Sequence, residues 1–401
     1  MRSLFVVIPE KGHLHPVLGP AAHLENAGHE VIFHAIADLT EPLGRAGFSR
    51  FVGLGTPLDL DGPAPPKRGR EFVERLADGP WLRAWIRHLL LDTVPPHVDA
   101  LDPIVERLRP DVIVADPMVY AAVIVAERRR IPWVALSNSL NPLLPAADGL
   151  RSELLDTVQW LADDRDALFT RYGLRCEFSG CDALSPYATL AFATDALVGG
   201  PVPGVEAVGP SRPVRPRGDA PDFPWPWLDD DTPLVVASFG SQIYHQPDRF
   251  RALVEAVRGR DVRLILSIGD LDPAEIAVPL PDNVLAMPYI PQLELLPRTS
   301  ALVTHGGANS VMEALDHGVP LLVCPVCNDQ FHQVHFLERR GAGRRLDLPQ
   351  DPKTVWRHLS EAVDPDGPLV RSARALGEDY RRHDGARRAA ERIVGVASGG
   401  R

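Results

Sequence analysis

Lysine is almost missing from this chain. Among 401 residues there are 42 basic side chains, but only Lys11, Lys67 and Lys353 are lysines, and 53 acidic residues leave a formal net charge of −11. A nucleic-acid binder needs a basic face to neutralise phosphates, so this balance excludes that class. An anionic small molecule would have to be held by local donors, such as the N–H groups at a helix start. Long hydrophobic runs are missing too. No apolar stretch approaches the roughly 20 residues that cross a bilayer. The run Leu4-Phe5-Val6-Val7-Ile8 is short and leads into a Gly/His/Pro loop rather than a small-residue cleavage site. The expected location is the cytosol. Cysteine is scarce, with Cys176, Cys181, Cys324 and Cys327 the four present. Cys324 and Cys327 have C-x-x-C spacing, but a zinc site would need a second close pair, and Cys176 and Cys181 stand wider. The four read as buried or loop thiols in a reducing compartment.

What the chain does contain is apolar residues, at 45%, enough for two cores of ordinary size. Strand-like runs alternate with helical periods, the mark of an α/β protein with parallel sheets. In the first half the expected strands are 3–8, 30–35, 111–116, 133–137 and 189–193. The first helix is expected from Pro16 to Ala27, with Gly28 as its stop. A long helical region covers 70–108, broken near Gly79-Pro80 and Pro95-Pro96. In it Trp81 and Trp85 lie one turn apart, either as core packing or as an aromatic wall for a ligand. Residues 209–233 are dense in Pro and charge and read as a linker, whose Asp229-Asp230-Asp231 fits a solvated turn better than a metal cluster. Strands then restart at 234–239, 263–268, 284–287, 301–304 and 321–324. Two α/β domains follow, 1–210 and 233–369, joined by a 211–232 linker. A helical tail, 370–401, is expected to pack back toward the first domain.

In a parallel sheet, ligands bind outside the carboxyl ends of the strands. Four signals fall there. In "EKGHLHP" (10–16), Gly12 permits a tight turn and His13 projects from the loop. Pro16 suits the first helical position and places His15 near the cap. A helix start disfavours imidazolium, so His13 would stay neutral and available as a base. His13 and His15 as a metal pair lack a third ligand. Asp116 ends "DVIVAD" and either orients a histidine or caps the next helix. "THGGANSVMEAL" (304–315) is a strand end, a glycine pair and a helix start. Gly306 and Gly307 admit a bulky anion, and the helix N-terminus supplies donors for a diphosphate. His305 adds a side-chain donor, and Glu313, a turn on, suits sugar hydroxyls. "SFGS" (238–241) is a similar junction on another strand.

Residues 289–330 resemble the nucleotide-sugar-binding signature of the family 1 glycosyltransferases. The likeness runs through Tyr289-x-Pro-Gln292, the His305-x-Gly307-x-Asn309-Ser310 core, Glu313, Gly318-Val-Pro-Leu-Leu and Asp329-Gln330. Gly12-His13-Leu-His15-Pro16 resembles the family's G-H-x-x-P loop. The resemblance implies the GT-B fold, two Rossmann-like domains with parallel sheets facing a central cleft. It implies an inverting, metal-independent hexosyltransferase acting on a UDP- or dTDP-sugar and a small hydrophobic acceptor, in the manner of bacterial natural-product tailoring enzymes. By motif, His13 would be the base and Asp116 its orienter. Ser241, His305, Gly307, Asn309 and Ser310 would attend the diphosphate, Tyr289 and Gln292 the nucleobase, and Gly12 is counted among the donor-binding residues. Glu313 would hold the ribose, and Asp329 and Gln330 the sugar. Trp81, Trp85 and Asn138 are the candidate acceptor contacts, within acceptor-lining regions 59–108 and 137–147. The family often has Trp at Tyr289 and Asn at His15. A sugar-nucleotide epimerase and a non-catalytic auxiliary partner are the alternatives. No cofactor, membrane span or nucleic acid is expected, and the chain would be a monomer or homodimer.

Overall fold

The computed structural model describes residues 1–55, 58, 68–144, 153–228, 231–327 and 329–399. They divide into two compact units, the first from the described residues of 1–65, 79–218 and 383–401, the second from those of 66–78 and 219–382.

In the first unit the strands are β1 (Arg2–Val6), β2 (Glu30–His34), β3 (Val112–Ala115), β4 (Trp133–Ser137), a short antiparallel hairpin β5 (Glu177–Ser179) and β6 (Asp182–Leu184), then β7 (Ala188–Ala191) and β8 (Glu206–Ala207). Six of them form one parallel sheet in the order β2-β1-β3-β4-β7-β8. Such a sheet is covered on both faces, which is why its strands are continuous apolar runs rather than alternating ones. β3 is buried at every position.

The second unit carries β9 (Leu234–Ser238), β10 (Arg263–Ser267), β11 (Val284–Met287), β12 (Ala301–Thr304), β13 (Leu321–Val323) and β14 (Gly343–Arg345). All pair in parallel, in the order β11-β10-β9-β12-β13-β14. This is a doubly wound sheet. Its winding reverses between β9 and β12, and that of the first sheet between β1 and β3. Open α/β sheets hold their ligands at such reversals.

The first helix starts at Lys11, not at Pro16, and runs to Asn26 with Pro16 and Pro20 inside it. Its first turn forms because the main-chain N–H groups of His13 and Leu14 both donate to Glu10 O, at 3.0 and 2.9 Å. Each proline removes an intrahelical donor. Pro20 leaves Pro16 O without its i+4 partner, and the buried Ser211 hydroxyl donates to that oxygen instead. Burial of Leu14, Val17, Leu18 and Leu24 keeps the helix intact across both prolines. Gly28 lies at φ +79, the left-handed region expected of a helix stop.

The 70–108 region resolves into helices Gly69–Arg75 and Gly79–Arg87, one π turn at His88–Asp92, and the helix Val94–Leu108. The Gly69–Arg75 helix belongs to the second unit, although its sequence lies in the first half. Gly69 N–H donates to Gln242 O at 2.9 Å, and Arg70 pairs with Glu275 at 2.9 Å. The tail forms two helices, Pro368–Arg381 in the second unit and Gly385–Ala397 in the first. The last of these packs on the Lys11–Asn26 helix. A Cβ on Gly19 would sit 2.8 Å from the Ala386 methyl and 2.7 Å from Arg212 O, so the approach requires glycine. Among the described residues no helix is long and apolar enough to cross a membrane.

Candidate functional site

The switch point of the first sheet carries His13 and Asp116. β1 and β3 are paired as far as Val6 and Ala115, and Asp116 N–H continues the ladder to Val6 O at 2.9 Å. The chain after β1 turns into the helix at Lys11, so His13 stands on the first helical turn rather than in a loop. Its Nδ1 lies 2.6 Å from Asp116 Oδ2, with the Asp116 side chain 1% exposed and the His13 ring 27% exposed. An ionised carboxylate only accepts, so Nδ1 carries the hydrogen and Nε2 keeps the lone pair. The other carboxylate oxygen, Oδ1, accepts Met118 N–H at 3.1 Å. Asp116 therefore does both things its sequence position allows: one oxygen orients a histidine and the other turns the chain toward the helix Tyr120–Arg129. A Cβ on Gly12 would meet nothing within 4 Å, so this glycine leaves open space beside His13 instead of relieving a clash. His15 is half-buried on the same helix, within its second turn rather than at its cap.

Asn138 follows β4 and is half-buried. Its Nδ2 donates to Asp116 Oδ2 at 3.1 Å and to His13 O at 3.3 Å. Trp81 and Trp85 stack on the Gly79–Arg87 helix, ring centroids 6.3 Å apart and planes 14° from parallel, each half-buried. Parts of the 59–108 and 137–147 stretches, and of the Asp229–Asp231 run, lie outside the described residues.

The switch point of the second sheet carries "SFGS" and "THGG". Ser238 and Thr304 are register partners, so Gly240 and His305 emerge side by side. The imidazole of His305 is held between two glycines. A Cβ on Gly240 would lie 2.6 Å from its Cε1, and one on Gly307 2.5 Å from its Nε2. Gly240 and Gly306 also sit at φ +77 and +92, a region that penalises other residues. His305 Nδ1 is 3.4 Å from the Thr304 hydroxyl. Burial pushes His305 down to about 4, a main-chain hydrogen bond with Ser238 works against this, and the Arg249 charge adds to it. Arg249 escaped the sequence reading. It lies in the helix Pro247–Val257 and donates to Cys324 O at 2.8 Å. No local motif marks it; only the fold brings it beside His305.

Gly307 is the N-cap of the helix Ala308–Asp316 and brings no side chain over the first turn, where Asn309 and Ser310 lie. Glu313, on the next turn, is buried, and Gln292 Nε2 donates to its Oε2 at 2.7 Å. Gln292 thus orients Glu313. The same Nε2 is 3.4 Å from the Ser310 hydroxyl. Tyr289 is exposed, and its hydroxyl donates to Asp219 at 2.8 Å. Ser241 is exposed on the turn after β9. Asp329 is the N-cap of the helix Gln330–Arg340. Gln330, assigned to the donor sugar by resemblance, turns inward. Its Oε1 accepts the N–H groups of Val326 and Cys327, at 2.7 and 3.0 Å, and shapes its own loop. Among the described residues no cluster of His, Cys, Asp or Glu could hold a metal ion. Burial pushes the thiols of Cys324 and Cys327 up to about 12, which makes them poor nucleophiles.

With this geometry in place, the relatives fall into one group. The UDP-glucoronosyl and UDP-glucosyl transferase family matches residues 228–354. The chain is 29% identical over 396 residues to the L-demethylnoviosyl transferase of Streptomyces niveus, covering 95% of this chain and 94% of that protein. It is 28% identical over 345 residues to the demethyllactenocin mycarosyltransferase of Streptomyces fradiae, covering 80% of this chain and 70% of that one. In fold it matches the crystal structure of the glycotransferase of kitacinnamycin, with a TM-score of 0.77, 24% identity, and coverage of 99% and 98% of the two chains. A motif in register over some forty residues, two doubly wound sheets and relatives along the whole chain agree: the chain has the GT-B fold and is similar along its length to family 1 glycosyltransferases of the bacterial natural-product tailoring type.

Proposed function

We propose that the chain moves a sugar from a nucleoside diphosphate sugar to a hydroxyl of a small hydrophobic natural product, with inversion at the anomeric carbon and without a metal. The observation that carries this reading is the 2.6 Å contact between His13 Nδ1 and a buried carboxylate. It favours the tautomer whose Nε2 can take a proton from the acceptor hydroxyl. The freed oxygen attacks the anomeric carbon from the face opposite the leaving diphosphate, so an α-linked donor gives a β-linked product.

The donor falls to the second unit. The helix start at Ala308, with Asn309, Ser310 and the neutral His305, would take the charge that gathers on the leaving diphosphate. Ser241 and Gly307 flank it, Glu313 held by Gln292 would bind the ribose, Tyr289 would lie along the base, and Asp329 would meet the sugar. Gln330 would act through the loop it shapes. The stacked Trp81 and Trp85 support an acceptor with a flat ring surface. The enzyme is read as cytosolic.

The test is incubation with UDP-glucose and dTDP-glucose against a panel of phenolic and polyketide aglycones, with and without EDTA. The expected result is a β-glycoside and free nucleoside diphosphate, unaffected by the chelator. An epimerised sugar formed without any acceptor, a retained anomeric configuration, or loss of turnover with EDTA would overturn the reading.

A further inference from the structure

Asn138 holds an unusual position at the end of β4. Its Nδ2 donates to Asp116 Oδ2 and to His13 O, at 3.1 and 3.3 Å. Both partners are acceptors, so the amide has one acceptable orientation; flipped, it would aim an oxygen at a carboxylate and a carbonyl. In that orientation Asn138 Oδ1 is buried and has no hydrogen-bond partner among the described residues. Leaving a buried acceptor without a partner carries its desolvation cost. The side chain keeps the pose regardless, so its two donor bonds outweigh that cost. A residue that simply lined a pocket would turn this oxygen toward water.

The loop is anchored from behind. Asp182, at the start of β6, is a fully buried carboxylate that accepts the Ser137 hydroxyl, the Ser139 hydroxyl at 3.4 Å and Asn141 Nδ2 at 2.9 Å. Residues on both sides of Asn138 are thereby tied to one group. Asp116 Oδ2, meanwhile, accepts from two donors, His13 Nδ1 and Asn138 Nδ2.

We propose that Asn138 is a positioning residue of the transfer reaction, which fixes Asp116 Oδ2 on His13 Nδ1 and shares that oxygen's charge, so that it sets the basicity of His13. This rests on His13 as the base. Among the described residues, charged groups on the elements beside His13 include Asp116 from the end of β3, Asp182 acting on Asp116 from β6, Glu10 at the helix N-cap and Lys11 on the first turn. Of these, only Asp116 is shared with Asn138. With the Asn138 amide removed, the whole charge of Oδ2 falls to His13 and favours the imidazolium.

The test is NMR titration of the chain labelled with ¹⁵N-histidine, the His13 signal being assigned with His13→Gln. In Asn138→Ala the His13 midpoint should rise by about half a unit to one unit. An unchanged midpoint in a folded variant overturns the proposal. A second measurement uses the unaltered protein: the Asn138 side-chain NH₂ protons should shift along the His13 titration, and flat signals across it overturn the proposal even where Asn138→Ala does not fold. His13→Ala separates the two readings. If that variant keeps transferring sugar, the base reading fails and the proposal falls with it. If it is inactive while His13 ignores Asn138→Ala, only the proposal fails.

Discussion

His13 in the first unit and His305 in the second occupy the same topological place. Each follows a strand beside the reversal of its sheet, and each stands at or next to a helix start. Their surroundings differ. His13 is held edge-on by a buried carboxylate at 2.6 Å and keeps 27% of its ring exposed. His305 is sandwiched by Gly240 and Gly307 and lies near the Arg249 charge. The second setting disfavours the charged ring, which burial and the Arg249 charge push down to about 4. A shared fold position thus fixes where a histidine stands, and the neighbours fix its electrostatic surroundings.

The largest test removes one partner or the other of the histidine–carboxylate pair. His13→Ala should lower turnover by about 10²–10⁴ with dTDP and UDP affinity unchanged by calorimetry, and Asp116→Asn should fall in the same range. A parallel loss of nucleotide affinity would dissolve the distinction between the sites. Next comes the glycine sandwich. Gly307→Ala or Gly240→Ala places a methyl within 2.6 Å of the His305 ring. Nucleotide affinity should drop tenfold or more, corresponding to about 1–3 kcal/mol of overpacking, while the His13 titration stays where it was.

A third test asks whether burial alone gives the His305 pattern. His34 and His97 form a buried pair, Nε2 to Nε2 at 3.0 Å, in which His34 Nδ1 contacts Val52 O at 2.7 Å. Burial lowers His34, and burial together with His34 takes His97 down to about 3. The unfolded chain binds a proton near 6.5 that the native pair refuses. Stability is therefore whole above pH 6.5 and is lost as pH falls below it. His97 alone should contribute about 1.4 kcal/mol of loss per pH unit. Urea melts at pH 7.5 and 5.5 should show this drop, and His97→Gln should flatten it. The smallest effect belongs to Gln292→Ala, which frees Glu313 from a 2.7 Å bond. The donor KM should rise about threefold to tenfold, with kcat little changed.

Much of this was legible in the chain. Strands 133–137, 284–287 and 301–304 were placed to the residue, because buried parallel strands are unbroken apolar runs between turn residues. Asp116 and His305 were placed just after their strands, where the structure has them, because an apolar parallel strand ends at its first polar residue. The start of the first helix was misread, because Pro16 mimics a helical first position. Nothing in the local sequence announces that Ser211 would cover the carbonyl stranded by Pro20. Asn138 was read as an acceptor contact and Gln330 as a donor-sugar contact; each also bonds to its own framework, which the sequence did not announce. Short-range patterns record residue type and spacing but not the direction of an amide.

The sequence by itself determined the class of the protein. Its apolar periods specify two parallel sheets, and its motif residues carry the likeness to glycosyltransferases. Only the tertiary structure decided the pairings. His13 and Asp116 are 103 residues apart, Gly240 and His305 are 65 apart, and Asn138 lies 125 from His13. Contacts at such separations depend on strand order and register, which are global properties of the packed core. The same core decides which buried polar atoms find partners, and so which of two similar histidines meets a carboxylate and which is shut between glycines.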